Sequence, residues 1–373
     1  MSIEGATHPG TGAAMIALSV LDQSPIGNGR SAADAIQETM ALAQAAETLG
    51  YRRYWLAEHH NSAVFASPAP EILIAAIAAR TATIRIGAAG VLLAHYSPLK
   101  VAETFRLLHT LFPDRVDLGI GRAPGGDRRA TLALGERTGI SGADAFPAQL
   151  RDLLDYMGDT MPDGHPYAGV RAMPAGRGKP AVWLLGSSET SGAHAARMGL
   201  AFAFAHFISG DEGAGVLAAY RRGFQPSPSL AAPQSSVAVR VLCADTEDEA
   251  QRLAGSFWLW RLRKARGQDG PVPSADEAAG HAYTDQDRAF MRRNRDLIVV
   301  GDPGHIKASL TSLAAAYGVE ELAILTMCHD PAARLRSYSL LAEVFALGMP
   351  PAETYLASHG SPANRLAAGV GRR

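Results

Sequence analysis

Tyr54-Trp55-Leu56-Ala57-Glu58-His59-His60-Asn61 decides how this chain is read. The stretch opens as a short apolar, aromatic run, the composition of a buried strand, and ends abruptly in three ionisable side chains. Charged groups at the exit of a buried strand are costly to hold unless each has a partner or a task.

Outward from this stretch the same rhythm recurs. Upstream, an apolar run at 17–21 ends in Asp22-Gln23-Ser24-Pro25, and Ser31 with Asp34 forms a capping-box pattern for a helix that stops at Gly50. Downstream come a helix over 68–80, a strand at 84–89, a helix over 98–111 and a strand at 115–120. Ser67-Pro68, Ser97-Pro98, Asp302-Pro303 and Asp330-Pro331 each place an N-cap residue before a proline suited to the first helical turn. After Gly121 the rhythm breaks, and 123–180 reads as an insertion with one helix near 146–157. Strands resume at 181–185, 200–205 and 237–243, with helices near 189–198, 211–223 and 246–265. A polar excursion at 267–295 precedes a strand-like extension at 297–300, a helix over 303–317, an apolar run at 322–327 and a last helix from 331 to 347. Without the extension, eight strands alternate with helices and no composition boundary divides them. That pattern predicts one (β/α)8 barrel over 15–347, with insertions near 123–180 and 267–295, rather than a doubly wound sheet with a second domain.

Composition narrows the function. The chain has 373 residues, 47% hydrophobic and 19% charged, and 35 Lys and Arg balance 36 Asp and Glu for a formal net charge of -1. No broad positive field is available for nucleic acid or anionic lipid. Cys243 and Cys328 lie far apart in strand-like runs and suit reduced, buried thiols of a cytoplasmic protein. Residues 1–14 lack the basic and apolar regions of a signal peptide and read as a disordered tail, and 348–373, rich in Pro, Gly and Arg, reads as a C-terminal tail that drapes over the domain or frays. The most apolar stretch, 199–208, contains His206 and is far shorter than the roughly 20 residues that span a bilayer.

In such a barrel, residues at the C-terminal ends of strands form the active face. The candidates are Ser24; Ala57 with Glu58, His59 and His60; Ala89 and Gly90; Arg122; Gly186 with Ser187 and Ser188; and His206. Adjacent histidines on an extended strand point to opposite sides, so His59 and His60 are poorly placed to share a metal. His59 is the candidate hydrogen-bond donor or proton carrier, paired with Glu58 as catalytic candidates, and the competing reading is that both histidines stitch loops together. Gly186-Ser187-Ser188-Glu189-Thr190-Ser191 runs from a buried strand into a helix, where free N–H groups and the hydroxyls of Ser187, Ser188 and Ser191 would cradle a phosphate; plain capping by Ser188 is the alternative. Arg122 could pair with that phosphate through its planar fork, or with Asp127. Gly119-Ile-Gly-Arg-Ala-Pro124 departs from a dinucleotide loop at its last position and no helix pattern follows it, and the cluster Arg171, Arg177 and Lys179 is too small for a nucleic-acid patch.

Taken together, Trp55-Leu-Ala-Glu-His-His60, Ile86-Gly-Ala-Ala-Gly-Val-Leu-Leu with Ser97-Pro98, Arg115-Val-Asp-Leu-Gly-Ile-Gly-Arg-Ala-Pro-Gly-Gly-Asp127, Val182-Trp-Leu-Leu-Gly-Ser-Ser188 and Gly199-Leu-Ala-Phe-Ala-Phe-Ala-His206 resemble the bacterial luciferase-like flavin monooxygenases, above all their single-chain subgroup. The resemblance runs from about residue 17 to 347. It implies a barrel that binds FMN with its phosphate near the fifth strand's exit. His59 would match the catalytic histidine, Ala89-Gly90 a non-proline cis peptide beneath the flavin ring, Arg122 an arginine near the phosphate, and Ser187, Ser188 and Ser191 the phosphate hydroxyls. It further implies a homodimer, and because the sequence carries no reductase-like nicotinamide motif, reduced flavin is expected from a separate reductase. F420-dependent hydride transfer and flavin binding without catalysis are the alternatives on the same fold. Ser187 stands where the luciferase subunit has Glu, and the polar excursion at 267–295 replaces that subunit's mobile lid, so neither light emission nor a long-chain aldehyde is implied.

Overall fold

The computed structural model describes residues 15–123, 125–135, 145–176, 178–210 and 213–348; the two expected tails, Pro124 and Arg177 thus lie wholly or mostly outside the described residues. Eight parallel strands close a (β/α)8 barrel: β1 Ala17–Asp22, β2 Arg53–Leu56, β3 Arg85–Leu92, β4 Val116–Gly121, β5 Ala181–Gly186, β6 Ala201–Ala205, β7 Ser235–Cys243 and β9 Glu321–Leu325. The short β8, Val299–Gly301, pairs only with the far end of β7, so it is an extension and no stave. Ring closure is the pairing of β1 with β9, Ala17 opposite Glu321 and Val20 opposite Ile324.

Strand alternation sorts the side chains. Val20, Tyr54, Leu56 and Phe202 pack outward under the helices, whereas Leu21, Trp55, Trp183, Ala201, Ala203, Ala238 and Ala323 fill the inside of the ring. Trp55 and Trp183 meet edge to face at 5.2 Å in the lower barrel. Below them lies a buried ionic cluster: Arg53 reaches Glu321 at 2.7 Å and Asp117 at 2.8 Å, the Ser19 hydroxyl donates to Glu321, and Arg85 and the Trp55 indole N–H donate to Asp117. The Arg53 guanidinium also stands 4.9 Å over the Trp183 ring. This cluster ties β1, β2, β3, β4 and β9 together at one end.

Local signals hold in most places. Ser31 and Asp34 complete a capping box for the helix Ala32–Thr48, and Asp302 and Asp330 cap the helices Pro303–Tyr317 and Pro331–Phe345. Ser67-Pro68 does not open a helix: the helix runs Pro70–Ala78, because the buried Ser67 is held by its carbonyl, which accepts the His59 N–H at 2.9 Å. A helix, Arg128–Gly135, does follow the β4 exit, started by Asp127 accepting the Ala130 N–H; it carries a short apolar stripe, Ala130, Ala133 and Leu134, and none of its residues is buried. The excursion at 267–295 folds into two short helices, Ala275–Ala279 and Asp285–Arg293, capped by Ser274 and Thr284. β3 runs on to Leu92, with a register shift between Ala88 and Val91 against β4.

Removing one member of a buried, hydrogen-bonded charge cluster strands the others. Arg53→Met should therefore destabilise the fold by about 3–5 kcal/mol, read as a lower urea midpoint. An unchanged midpoint would show the cluster to be dispensable.

Candidate active site

Above the two tryptophans the ring carries alanines, and space opens. A cavity of 380 Å³ is lined at its base by Leu21, Trp55, Ala57, Ala89, Gly90, Leu185, Ala203 and Ala238. Gln23, Glu58, His59 and Leu92 stand among its walls, with Gly121, Arg122, Gly186, Ser187, Ser188 and Ser191. The pattern Ala201-Phe-Ala-Phe-Ala205 explains the room: the phenylalanines face the helices and the alanines face in. The Ala89–Gly90 peptide is cis. A Cβ on Gly90 would come within 2.3 Å of Leu185 Cδ1 and 2.8 Å of the Gly119 carbonyl, so only glycine fits there.

At the β5 exit, Ser188 caps the helix Glu189–Arg197 and forms a capping box with Ser191. The Ser191 hydroxyl donates to the Ser188 carbonyl at 2.7 Å, and a Cβ on Gly186 would strike Ser191 Oγ at 2.1 Å. The capping role and a cavity-facing position thus coincide, and the helix start offers N–H donors and a positive dipole end to an anion. Arg122 is exposed and lines the cavity, while Asp127 is engaged elsewhere, by the Asn61 side chain and the Ala130 N–H.

Glu58 is buried and fully occupied. It accepts from the Leu92 N–H at 3.1 Å, the Tyr96 hydroxyl at 2.8 Å and His60 Nε2 at 2.7 Å. Its role is to fasten the β2 exit to the β3 exit. His60 belongs to this fastening and lies outside the cavity lining.

His59 presents its ring to the cavity and packs on Phe65 with centroids 4.3 Å apart. Its Nε2 stands 3.4 Å from Gln23 Nε2, and its Nδ1 is buried without a partner. Burial, helped by the charges of Lys264 and His60, pushes its pKa down to about 4, so at neutral pH the ring is uncharged, with one N–H and one lone pair. His59 also borders two outer recesses, one lined by Asn61, Phe65, Asp127 and Asp269, the other including Lys264.

Besides His60, two sequence candidates are not in the cavity. Ser24 is fully buried behind it, because the backbone turns there to φ 50° and its N–H is taken by Asp22 while its Oγ meets the Thr39 hydroxyl. Its neighbour Gln23 takes the wall position instead, and strand alternation at the β1 exit was the signal that could have found it. His206 faces outward, with Nδ1 2.8 Å from the Tyr317 hydroxyl and 3.1 Å from the Gly210 carbonyl. The chain leaves β6 directly into the short helix His206–Ser209, so the strand's in–out order ends and Phe207 and Ile208 line the cavity. Among the described residues, no group of three or more His, Cys, Asp and Glu is arranged to hold a metal.

The depressed His59 pKa links to stability. From 6.5 down to about 4 the unfolded chain takes up a proton that folded His59 refuses, so this contribution is present above 6.5 and is lost as pH falls towards 4. The thermal midpoint of His59→Gln should decline less over that interval than that of the parent; parallel declines would contradict the assignment.

The sequence matches the family model for luciferase-like monooxygenases over residues 16–321. It is 38% identical over 330 residues to the N-acetyl-S-alkylcysteine monooxygenase of Bacillus subtilis, covering 88% of this chain and 98% of that one. The solved structure of apo-MsnO8 superposes with a TM-score of 0.83 at 42% identity, covering 90% of this chain and all of the other. Two more distant structures share the fold. The oxygenating constituent of 3,6-diketocamphane monooxygenase from Pseudomonas putida, in complex with FMN, has a TM-score of 0.64 at 21% identity over 91% of this chain and 99% of that one. An F420-dependent secondary alcohol dehydrogenase has 0.63 at 12% over 88% and 99%. The barrel, its cavity and these matches agree: the chain belongs to the luciferase-like monooxygenase family.

Proposed function

We propose that the protein is an FMN-dependent monooxygenase that receives reduced flavin from a separate reductase and transfers one oxygen atom to a small organic substrate. The observation that carries this reading is the cavity itself, which joins an anion-binding helix start to a neutral histidine across an apolar base. These residues fit a flavin mononucleotide. Ser187, Ser188, Ser191 and the helix N–H groups would hold its phosphate with Arg122, and Ala57, Ala89 and Gly90 leave flat space for its ring. Bound reduced FMN supplies the electrons that activate oxygen.

The chain's own share is binding, dryness and one proton. Leu21, Trp55 and Leu185 keep water from the base of the cavity. His59, uncharged and steadied by Phe65 and Gln23, donates or relays a proton at its ring nitrogen without bringing a charge into the apolar site. Glu58 holds the strand exits on which His59 and Gly90 are carried.

Titration of the purified protein with FMN and with F420, followed by oxygen uptake on reduced FMN over a panel of thioethers and ketones, tests this. Thioethers head the panel because of the B. subtilis relative's name. FMN should bind and F420 should not, and one oxygen atom should appear in product. Arg122→Ala should weaken FMN binding about tenfold or more. His59→Ala should retain FMN but lower product formation by about 10²–10⁴-fold. Tight F420 binding with hydride transfer would replace the proposal, and flavin binding with no oxygenation of any substrate would reduce the protein to a carrier.

A further inference from the structure

Arg240 lies on β7 two residues beyond Ala238, so both side chains leave the same face of the strand. Ala238 lines the cavity; Arg240 is two residues closer to the C-terminal end of β7, is not itself among the lining residues, and meets the cavity through Phe207. It is only 6% exposed, and its guanidinium sits between two phenyl rings, 5.3 Å from the centroid of Phe207 and 4.5 Å from that of Phe257. Phe207 is itself part of the cavity wall. The hydrogen bonding of Arg240 is poor for a buried cation: one long contact of 3.4 Å from Nη1 to the Leu297 carbonyl, and an Nε with no partner.

Among the described residues no carboxylate pairs with it. Asp296, next to Leu297, is exposed and joined to Arg295 at 3.5 Å. The charged neighbour that acts on Arg240 is Arg261, of the same sign, half-buried, and with an Nε that also lacks a partner. The adjacent Trp260 indole N–H is buried without an acceptor as well.

A guanidinium keeps its proton at neutral pH, so two positive charges stand near each other with no counter-charge among the described residues. Stacking on phenyl rings offsets part of that cost. Stability alone would favour an apolar side chain of similar volume at position 240. What the fold retains instead is a set of donors with no acceptor: Arg240 Nε, Arg261 Nε and Trp260 Nε1.

We propose that Arg240, seconded by Arg261, is the anion-binding end of the substrate site, and that the substrate is a small organic anion whose carboxylate or sulfonate group meets Arg240 at the Phe207 wall. The planar fork pairs with two oxygens at once, which would orient the rest of the molecule along the β6–β7 wall towards His59. This rests on the cavity being the oxygenation site, yet its test needs no turnover.

Two measurements decide it. In ligand-free protein, Arg240→Met should raise the thermal midpoint, by about 2 °C or more, since it removes an unpaired buried charge. A lowered midpoint, or failure to fold, would show Arg240 to be a structural staple and overturn the proposal. By calorimetry on the FMN-treated protein, hexanoate and hexane-1-sulfonate should bind the parent about tenfold or more tightly than hexan-1-ol, and Arg240→Met should abolish that preference. Arg240→Lys, which keeps the charge without the fork, should retain part of it. Equal binding of the anions and the alcohol to the parent would overturn the proposal. If FMN itself fails to bind, the oxygenase reading falls, whereas the thermal midpoints and the anion preference still judge Arg240.

Discussion

The barrel depends on a bargain struck at its closed end, where Arg53, Asp117 and Glu321 are buried together. Each charge alone would be prohibitively desolvated. In company, each finds a partner on a different stave, and Ser19 and the Trp55 indole take remaining oxygen lone pairs. The polar contacts are directional where apolar packing is not, so the cluster fixes the register of strands distant in sequence. Trp55 and Trp183 then rest on it and form a rigid base for everything above.

A second buried acid does the same work at the open end. Asp22 accepts from Arg334 at 2.6 Å, from Tyr54, from Thr39 and from the Ser24 N–H. Desolvation pushes its pKa up, but Arg334 and these hydrogen bonds outweigh it and hold the carboxylate below its ordinary range. Asp22 thus locks the β1 exit to the last helix and leaves Gln23 aimed at His59. Glu58 performs the equivalent fastening between β2 and β3. The cavity wall around His59 is therefore held by two carboxylates, Asp22 behind it and Glu58 within it, whose hydrogen bonds go to the scaffold.

Much of this was legible in the chain. Strand order, the barrel and the buried run Tyr54–Ala57 that ends in Glu58 follow from periodicity, because burial on both faces of a stave leaves an apolar signature. The serines after β5 were legible for the same reason that capping is: a short polar side chain at a helix start has few other uses. Ser24 and His206 misled because position at a strand exit was taken as enough to face the cavity, whereas alternation from Leu21 and from Ala201, Ala203 and Ala205 puts both on the outer side. Gln23 and Arg240 were missed because an amide and an arginine in a strand-like run carry no motif; alternation alone could have placed Gln23, and only its neighbours in space show how poorly Arg240 is partnered. The helix Arg128–Gly135 was passed over because its apolar stripe, Ala130, Ala133 and Leu134, is only two turns long and lies in a Gly- and Pro-rich stretch.

The placement of His59 has a further meaning. The inner cavity and two outer recesses share His59 as a lining residue. A single side chain therefore stands where three spaces meet. If His59 carries the proton that the proposed reaction needs, the outer recesses give that proton a way in that is separate from the apolar base of the cavity.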